Sequence, residues 1–273
     1  MMLRLLLVLT LLLPATARAD VLRMAVTTSF ANSGLADSLL PAIARDLGIE
    51  VQLVIVGTGQ ALRLGAAGDV DAVLTHAPDA EEAFVAAGHA ARRIPVMAND
   101  FVLIGPAADP AGIGATESAA GALAAIAAAR APFVSRGDDS GTHLAELALW
   151  EAVGIAPEGN WYRPVGAGMG AALNTAAAMD AYILSDRATW LAFRNPQNLA
   201  ILFQGDPILL NPYAFMAVSR EKGPHIRADA AERLEAWLTG PNARALIADF
   251  TVAGQPVFFL PDTQPSSDPN NGD

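Results

Sequence analysis

Cysteine is absent from all 273 residues. That excludes disulfides, a cysteine nucleophile and a lipid-anchor cysteine behind an export signal. Basic residues are scarce: 17 Lys and Arg stand against 28 Asp and Glu, a formal net charge of −11. A nucleic-acid partner is disfavoured, because a phosphate backbone rewards clustered Lys and Arg. A small anion is not excluded, since local dipoles bind one even on an acidic protein. Also missing is any apolar run of the ~20 residues that a membrane-spanning helix needs. The alanine-rich stretch 119–131 is too short, carries Arg130, and reads as a packed helix.

The chain opens "MMLRLLLVLTLLLPATARAD". One early arginine, a leucine-rich run and Ala17-Arg18-Ala19 before Asp20 match a secretory signal with an A-x-A cleavage site. Residues 1–19 are expected to be a signal peptide, and the mature protein a soluble one of a Gram-negative periplasm. Its length is then 273 less 19, or 254 residues, and loss of Arg4 and Arg18 leaves 15 basic against 28 acidic residues, a net of −13. Such a length, with 53% hydrophobic and 16% charged residues, suits a compact globule of one large domain or two lobes.

Short apolar runs alternate with amphipathic ones, the signature of α/β layers. "VLRMAV", "VQLVIV", "NDFVLIGP", "PFVSR", "AYIL" and "NPYAFMAVS" read as strands, and "DAVLTHAP" as a strand and turn. Helices are expected over 35–47, "QALRLGAAG", 142–153, 168–179, 186–193 capped by Ser185, 228–238 and 240–250. The tail 261–273 is polar and rich in Pro, Asn, Ser and Asp, and reads as disordered.

Three polar turns share one construction, an apolar strand followed by Thr or Ser with Gly and then a helix: "VTTSFANSG", "VGTG" and "SRGDDSGT". Ligands of open α/β sheets sit outside the carboxyl ends of strands. A helix N-terminus there offers unpaired N–H groups and a positive dipole end. Taken singly, each Ser or Thr is most simply a helix cap. Enzymatic readings are weaker. Ser140 lacks a G-x-S-x-G elbow, with only His76 or His143 for a base. His143 and Glu146 alone do not make a metal site. "GTG" lacks the dinucleotide spacing, and "RGD" at 136–138 lies inside the third turn. His76 and His89 read as structural or surface residues.

At these motifs the chain resembles the tungstate-binding proteins of ABC importers (TupA type), and more distantly the phosphate- and molybdate-binding proteins. The matching segments are "TTSFANSGL", "VGTGQALRLGAAGDVDAVLTHAP", "NDFVLIGP", "SRGDDSGTH", "GMGAALNTA", "AYILSDRATW" and "NPYAFMAV", in the family's order from about 22 to 220. The first departs slightly: Val26 stands where the family has a third threonine, and "FAN" replaces a Thr-Glu-Asp-like stretch.

The resemblance implies an α/β, two-lobe periplasmic binding protein of type II, with its ligand in the interlobe cleft and no catalytic activity. Residues 20–97 plus 212–260 would form lobe I and 98–211 lobe II, with crossings near 97–101 and 210–213. A deprotonated tetrahedral oxyanion only accepts hydrogen bonds, so its site must offer donors. The expected ligand-binding set is Thr28, Ser29, Thr58, Gly59, Arg136, Ser140, Gly141 and Thr142. Asp138 matches the family's aspartate that holds the arginine. Arg136 is the only arginine in the three turns, and its fork suits an oxyanion better than lysine would. Asn174 and Ser185, on the helix "GMGAALNTA" and the turn "LSDR", are further candidates. No carboxylate occurs in the first two turns, which argues for a proton-free anion: tungstate, molybdate or sulfate. The expected partners are tungstate or molybdate and an ABC permease and ATPase; no cofactor, metal site or nucleic acid is expected, and the protein is expected to be a monomer. A periplasmic anion sensor is the alternative.

Overall fold

The computed structural model describes residues 20–261; the expected signal peptide, and the expected tail beyond Pro261, lie outside them. β1 (Asp20–Thr27), α1 (Thr28–Asn32), α2 (Leu35–Leu47), β2 (Ile49–Val56), α3 (Thr58–Ala67), β3 (Ala72–Thr75) and α4 (Pro78–Ala86) come first. The 13-residue β4 (Ile94–Pro106) leads out of this set. Then follow α5 (Ala119–Ala129), β5 (Phe133–Ser135), α6 (Gly141–Ala152), β6 (Tyr162–Pro164), α7 (Met169–Met179), β7 (Tyr182–Asp186), α8 (Arg187–Ala192) and β8 (Leu199–Phe203). The chain returns through β9 (Leu210–Ala217) to α9 (Ala228–Leu238), α10 (Pro241–Ala248) and a hairpin, β10 (Thr251–Val252) with β11 (Gln255–Pro256).

The main sheet runs β2-β1-β3-β9-β4-β7-β5-β6, with β8 also on β4. Pairs β1–β2, β1–β3, β5–β6 and β5–β7 are parallel, and the pairs made by β4 and β9 are antiparallel. β4 is divided along its length. Residues 94–100 pair with β9, and 101–106 with β7 and β8. This one strand joins two lobes.

Each lobe buries both faces of its sheet, as the period-2 pleat dictates. Leu22, Met24 and Val26 of β1 enter a core with Leu74, Phe215 and Leu234, whereas Ala25 faces a second core with Val73, Phe84 and Met216. In the other lobe Phe101, Leu103 and Phe133 pack with Leu123, Trp150 and Tyr182, while Val102, Ile104 and Val134 pack with Leu173 and Ile183. Helices supply the opposing stripes. Leu35, Leu39, Ala42 and Ile43 of α2 are buried at helical spacing, and the helix stops at Gly48, whose left-handed φ of 67° lets its N–H reach back to the Ala44 carbonyl. Among the described residues no helix is long and apolar enough to cross a membrane.

Most expected elements are present, with adjusted ends. "NDFVLIGP" extends back to Ile94 because "IPVMA" also pairs with β9. The strand and turn expected over "DAVLTHAP" are present, β3 ending at Thr75, and a helix not anticipated, α4, begins at Pro78. β6 and β8 were not anticipated. Ser185 is not the cap of α8: β7 runs two residues past the expected "AYIL", and Asp186 accepts from the Thr189 amide at 2.8 Å. Ser185 Oγ instead donates to the Asp186 carbonyl, at 3.1 Å.

Candidate anion-binding site

Three chain turns lie at the carboxyl ends of strands, and the first and third of them face one cavity. The first follows β1. Thr27, not Thr28, caps α1, accepting from the Phe30 amide at 3.3 Å, which leaves Thr28 and Ser29 as the first two helical residues. Ser29 Oγ lies 3.0 Å from Thr27 Oγ1 and 3.0 Å from His76 Nε2, and accepts from the Tyr213 hydroxyl at 3.2 Å.

The second turn places Thr58 at the start of α3, after Gly57, which brings no side-chain cap. Thr58 is 2% exposed, and its hydroxyl has no hydrogen-bond partner in the protein. Gly59 is exposed, next to Arg63.

The third turn, after β5, carries the cation. Arg136 is 6% exposed. Its guanidinium donates to Asp138 Oδ2 at 2.5 Å, and its buried Nε has no partner. Gly137 makes this hairpin-like return possible. Its φ is +58°, and a Cβ there would lie 2.7 Å from Pro164 Cβ. Burial pushes the Asp138 carboxyl up, but the bonds from Ser140 and Arg136 outweigh it, and the net shift is downward. Ser140 is a true helix cap, its Oγ accepting from the His143 amide at 3.3 Å, and its hydroxyl also bonds to the Asp138 carboxylate. Its amide is committed to Asp138 Oδ1. Gly141 and Thr142 open α6, with Thr142 buried.

A cavity of about 270 Å³ lies between the first and third turns. Thr28, Ser29 and Asn32 of α1 line one side. Arg136 and Asp138, Gly168 and Met169 at the start of α7, and Asp186 and Thr189 of α8 line the other. Thr58, Gly59, Ser140 and Thr142 do not line it, and Gly141 borders a neighbouring apolar groove beside His76. Of the two expected elements beyond the three turns, both contribute, but through other residues. Asn174 is exposed and donates to the Gly170 carbonyl, and Ser185 is turned to the backbone.

Sequence reasoning missed three groups. Tyr213 and His76 buttress Ser29 from β9 and from the turn after β3. Burial holds the His76 imidazole down to about 4, so it is neutral at physiological pH. That turn is fastened by Glu81, which accepts from Thr75 Oγ1 at 2.7 Å, the Ala77 amide at 2.9 Å and Arg93 Nε at 2.7 Å. The third is Asp186, whose carboxyl burial pushes up despite hydrogen bonds from Thr189 and the nearby Arg136 charge. The lack of carboxylates in the first two turns thus does not extend to the cavity wall. All four oxygens of Asp138 and Asp186 nevertheless accept a hydrogen bond from the protein itself.

Behind the cradle, Glu146 is 2% exposed and accepts from Trp150 Nε1 and the Tyr162 hydroxyl. Burial raises its carboxyl from 4.5 to about 7. Folding then favours the neutral form. The stabilisation is full below about 4.5 and is lost as pH rises through about 7, at up to ~1.4 kcal/mol per pH unit. Urea unfolding should show greater stability at pH 5 than at pH 8, and Glu146→Gln should flatten that slope; an unchanged slope would assign it to another group. His143 Nδ1 accepts from the Asp139 amide at 3.1 Å, and among the described residues no three ligand-type side chains cluster as a metal site.

Residues 14–242 match the model of a PBP superfamily domain. The tungstate-binding protein TupA of Peptoclostridium acidaminophilum is 44% identical over 239 residues, covering 86% of this chain and 84% of that protein. The solved structure of the tungstate-binding protein TupA from Desulfovibrio alaskensis G20 superposes with a TM-score of 0.80 at 43% identity, covering 89% of this chain and 99% of that one. A tungstate ABC transporter structure from Geobacter sulfurreducens gives 0.77 at 47% identity, covering 85% and 99%. Two of these relatives are named for binding tungstate, and the third is a tungstate ABC transporter. With this fold, these motifs and matches across most of its length, the chain belongs to the TupA family of the periplasmic-binding-protein superfamily.

Proposed function

We propose that the protein captures a deprotonated tetrahedral oxyanion, tungstate foremost, between its lobes in the periplasm, and delivers it to the permease and ATPase of an ABC importer. One observation carries the reading. Arg136 is buried with an unused N–H, beside a cavity bordered by the N-termini of α1, α7 and α8. A buried donor without an acceptor is costly, and an anion at this place supplies one. Arg136, Ser29 and Thr28 are the donors we assign first, with Thr58, Ser140, Thr142 and the amides near Gly59 and Gly141 completing the set on closure. Asp138 holds the guanidinium. The names of the relatives support tungstate as the cargo.

We assign residues 20–97 with 212–260 to one lobe and 98–211 to the other, and read the protein as an exported monomer with residues 1–19 as its signal. One element departs from this division. α8 lies within 98–211, yet Ala188 is buried in the core formed by β1, α2 and α9. Calorimetric titration with tungstate, molybdate, sulfate and phosphate tests the function. Tight binding of tungstate, with phosphate much weaker, is expected. Phosphate binding as tight as tungstate would overturn the donor-only site.

A further inference from the structure

We propose that His76 and Gly141 form a latch that couples anion binding to lobe closure; this rests on the oxyanion reading above. His76 stands on the turn after β3, in one lobe, and Gly141 begins α6 in the other. They touch closely. A Cβ on Gly141 would fall 2.2 Å from His76 Cε1, 2.8 Å from Nε2 and 3.0 Å from Nδ1. Gly141 is not among the glycines of positive φ, and alanine is a better helix former than glycine. Glycine is needed at this position for space alone.

The ring has little freedom to yield. The ring packs at a tilt of 42° against that of Tyr213, with centroids 4.8 Å apart. Its Nε2 holds Ser29 Oγ at 3.0 Å, and its turn is fastened through Ala77 to Glu81. Ser29 also lines the cavity. An anion bound at Ser29 therefore holds the imidazole in the one position where the second lobe can seat only a residue without a side chain. The anion thus adds to the hold on a ring that Tyr213 and the Ala77–Glu81 bond already place, and favours the closed state by its differential affinity.

The test is a double-mutant cycle on the full mature protein, with tungstate calorimetry and small-angle scattering with and without tungstate. Gly141→Ala keeps every donor but blocks the approach; overpacking of this kind predicts a roughly 5- to 150-fold loss of affinity and no compaction on adding tungstate. His76→Ala, which loses the support of Ser29, should weaken binding less. The combined variant has room for the new methyl group, so it should bind more tightly than Gly141→Ala alone and regain compaction. Wild-type affinity and compaction in Gly141→Ala would overturn the latch while leaving the oxyanion reading intact. A combined variant no tighter than Gly141→Ala would do the same, as would a Gly141→Ala protein that fails to fold, since separated lobes contain no clash. A wild-type protein that binds neither tungstate nor molybdate would overturn the oxyanion reading, and the latch with it.

Discussion

Arg136→Ala should weaken tungstate binding by roughly 30-fold to several-thousand-fold, the ~2–5 kcal/mol lost when one member of a buried, hydrogen-bonded charge pair is removed. The size follows from the surroundings. The side chain is 7% exposed, so water cannot replace the guanidinium. Its charge also offsets two carboxylates on the cavity wall, Asp138 and Asp186. Without it an incoming anion meets both. Arg136→Lys keeps the charge but loses the planar fork, and should fall between wild type and alanine. Titration calorimetry reads the effect, with circular dichroism confirming the fold. An unchanged dissociation constant for Arg136→Ala would remove the anion from this cavity.

Glu81→Ala should cost stability rather than a ligand contact. The carboxylate is fully buried and joins Arg93, the Thr75 hydroxyl and the Ala77 amide. Removing one side of a buried ion pair leaves the other uncompensated, at about 3–5 kcal/mol. Arg93 retains 19% exposure, which places the expected loss toward the lower end. For a chain of this size that corresponds to a fall in melting temperature of roughly 6–15 °C. Glu81→Gln, which still accepts at one oxygen but has lost its charge, should lie between. Because the same carboxylate fastens the turn that carries His76, tungstate affinity should fall with it. A melting temperature within two or three degrees of wild type would show that the turn is held by other contacts.

Much of this architecture is legible in the sequence because its causes are local. The alternation Leu22, Met24, Val26 against Ala25 declares a strand buried on both faces, and Gly48 and Gly68 end helices where left-handed backbone is needed. The loop after β5 holds itself together locally too, with Asp138 bonded to both Arg136 and Ser140. What escaped depends on contacts between distant segments. Ser29 meets His76 and Tyr213 only after β3 and β9 are in place, so no window of sequence shows them together. Asp186 was hidden by one residue of register: Ser185 and Asp186 are both good caps, and the length of β7 decides between them. β6 is three residues long and partly exposed, too little for a periodic pattern.

The order of strands bears on how the protein is made. β9 lies between β3 and β4 in the finished sheet, where Ala72 pairs with Ala217 and Thr75 with Ala214. During N-to-C synthesis, β3 waits for a neighbour that is among the last strands to emerge, while β5, β6 and β7 already have their partners. Such distant pairings are slow to form and leave strand edges uncovered in the meantime. The nascent chain thus stays incompletely folded until nearly all of it exists, since the sheet of the first lobe closes only when β9 has paired with both β3 and β4.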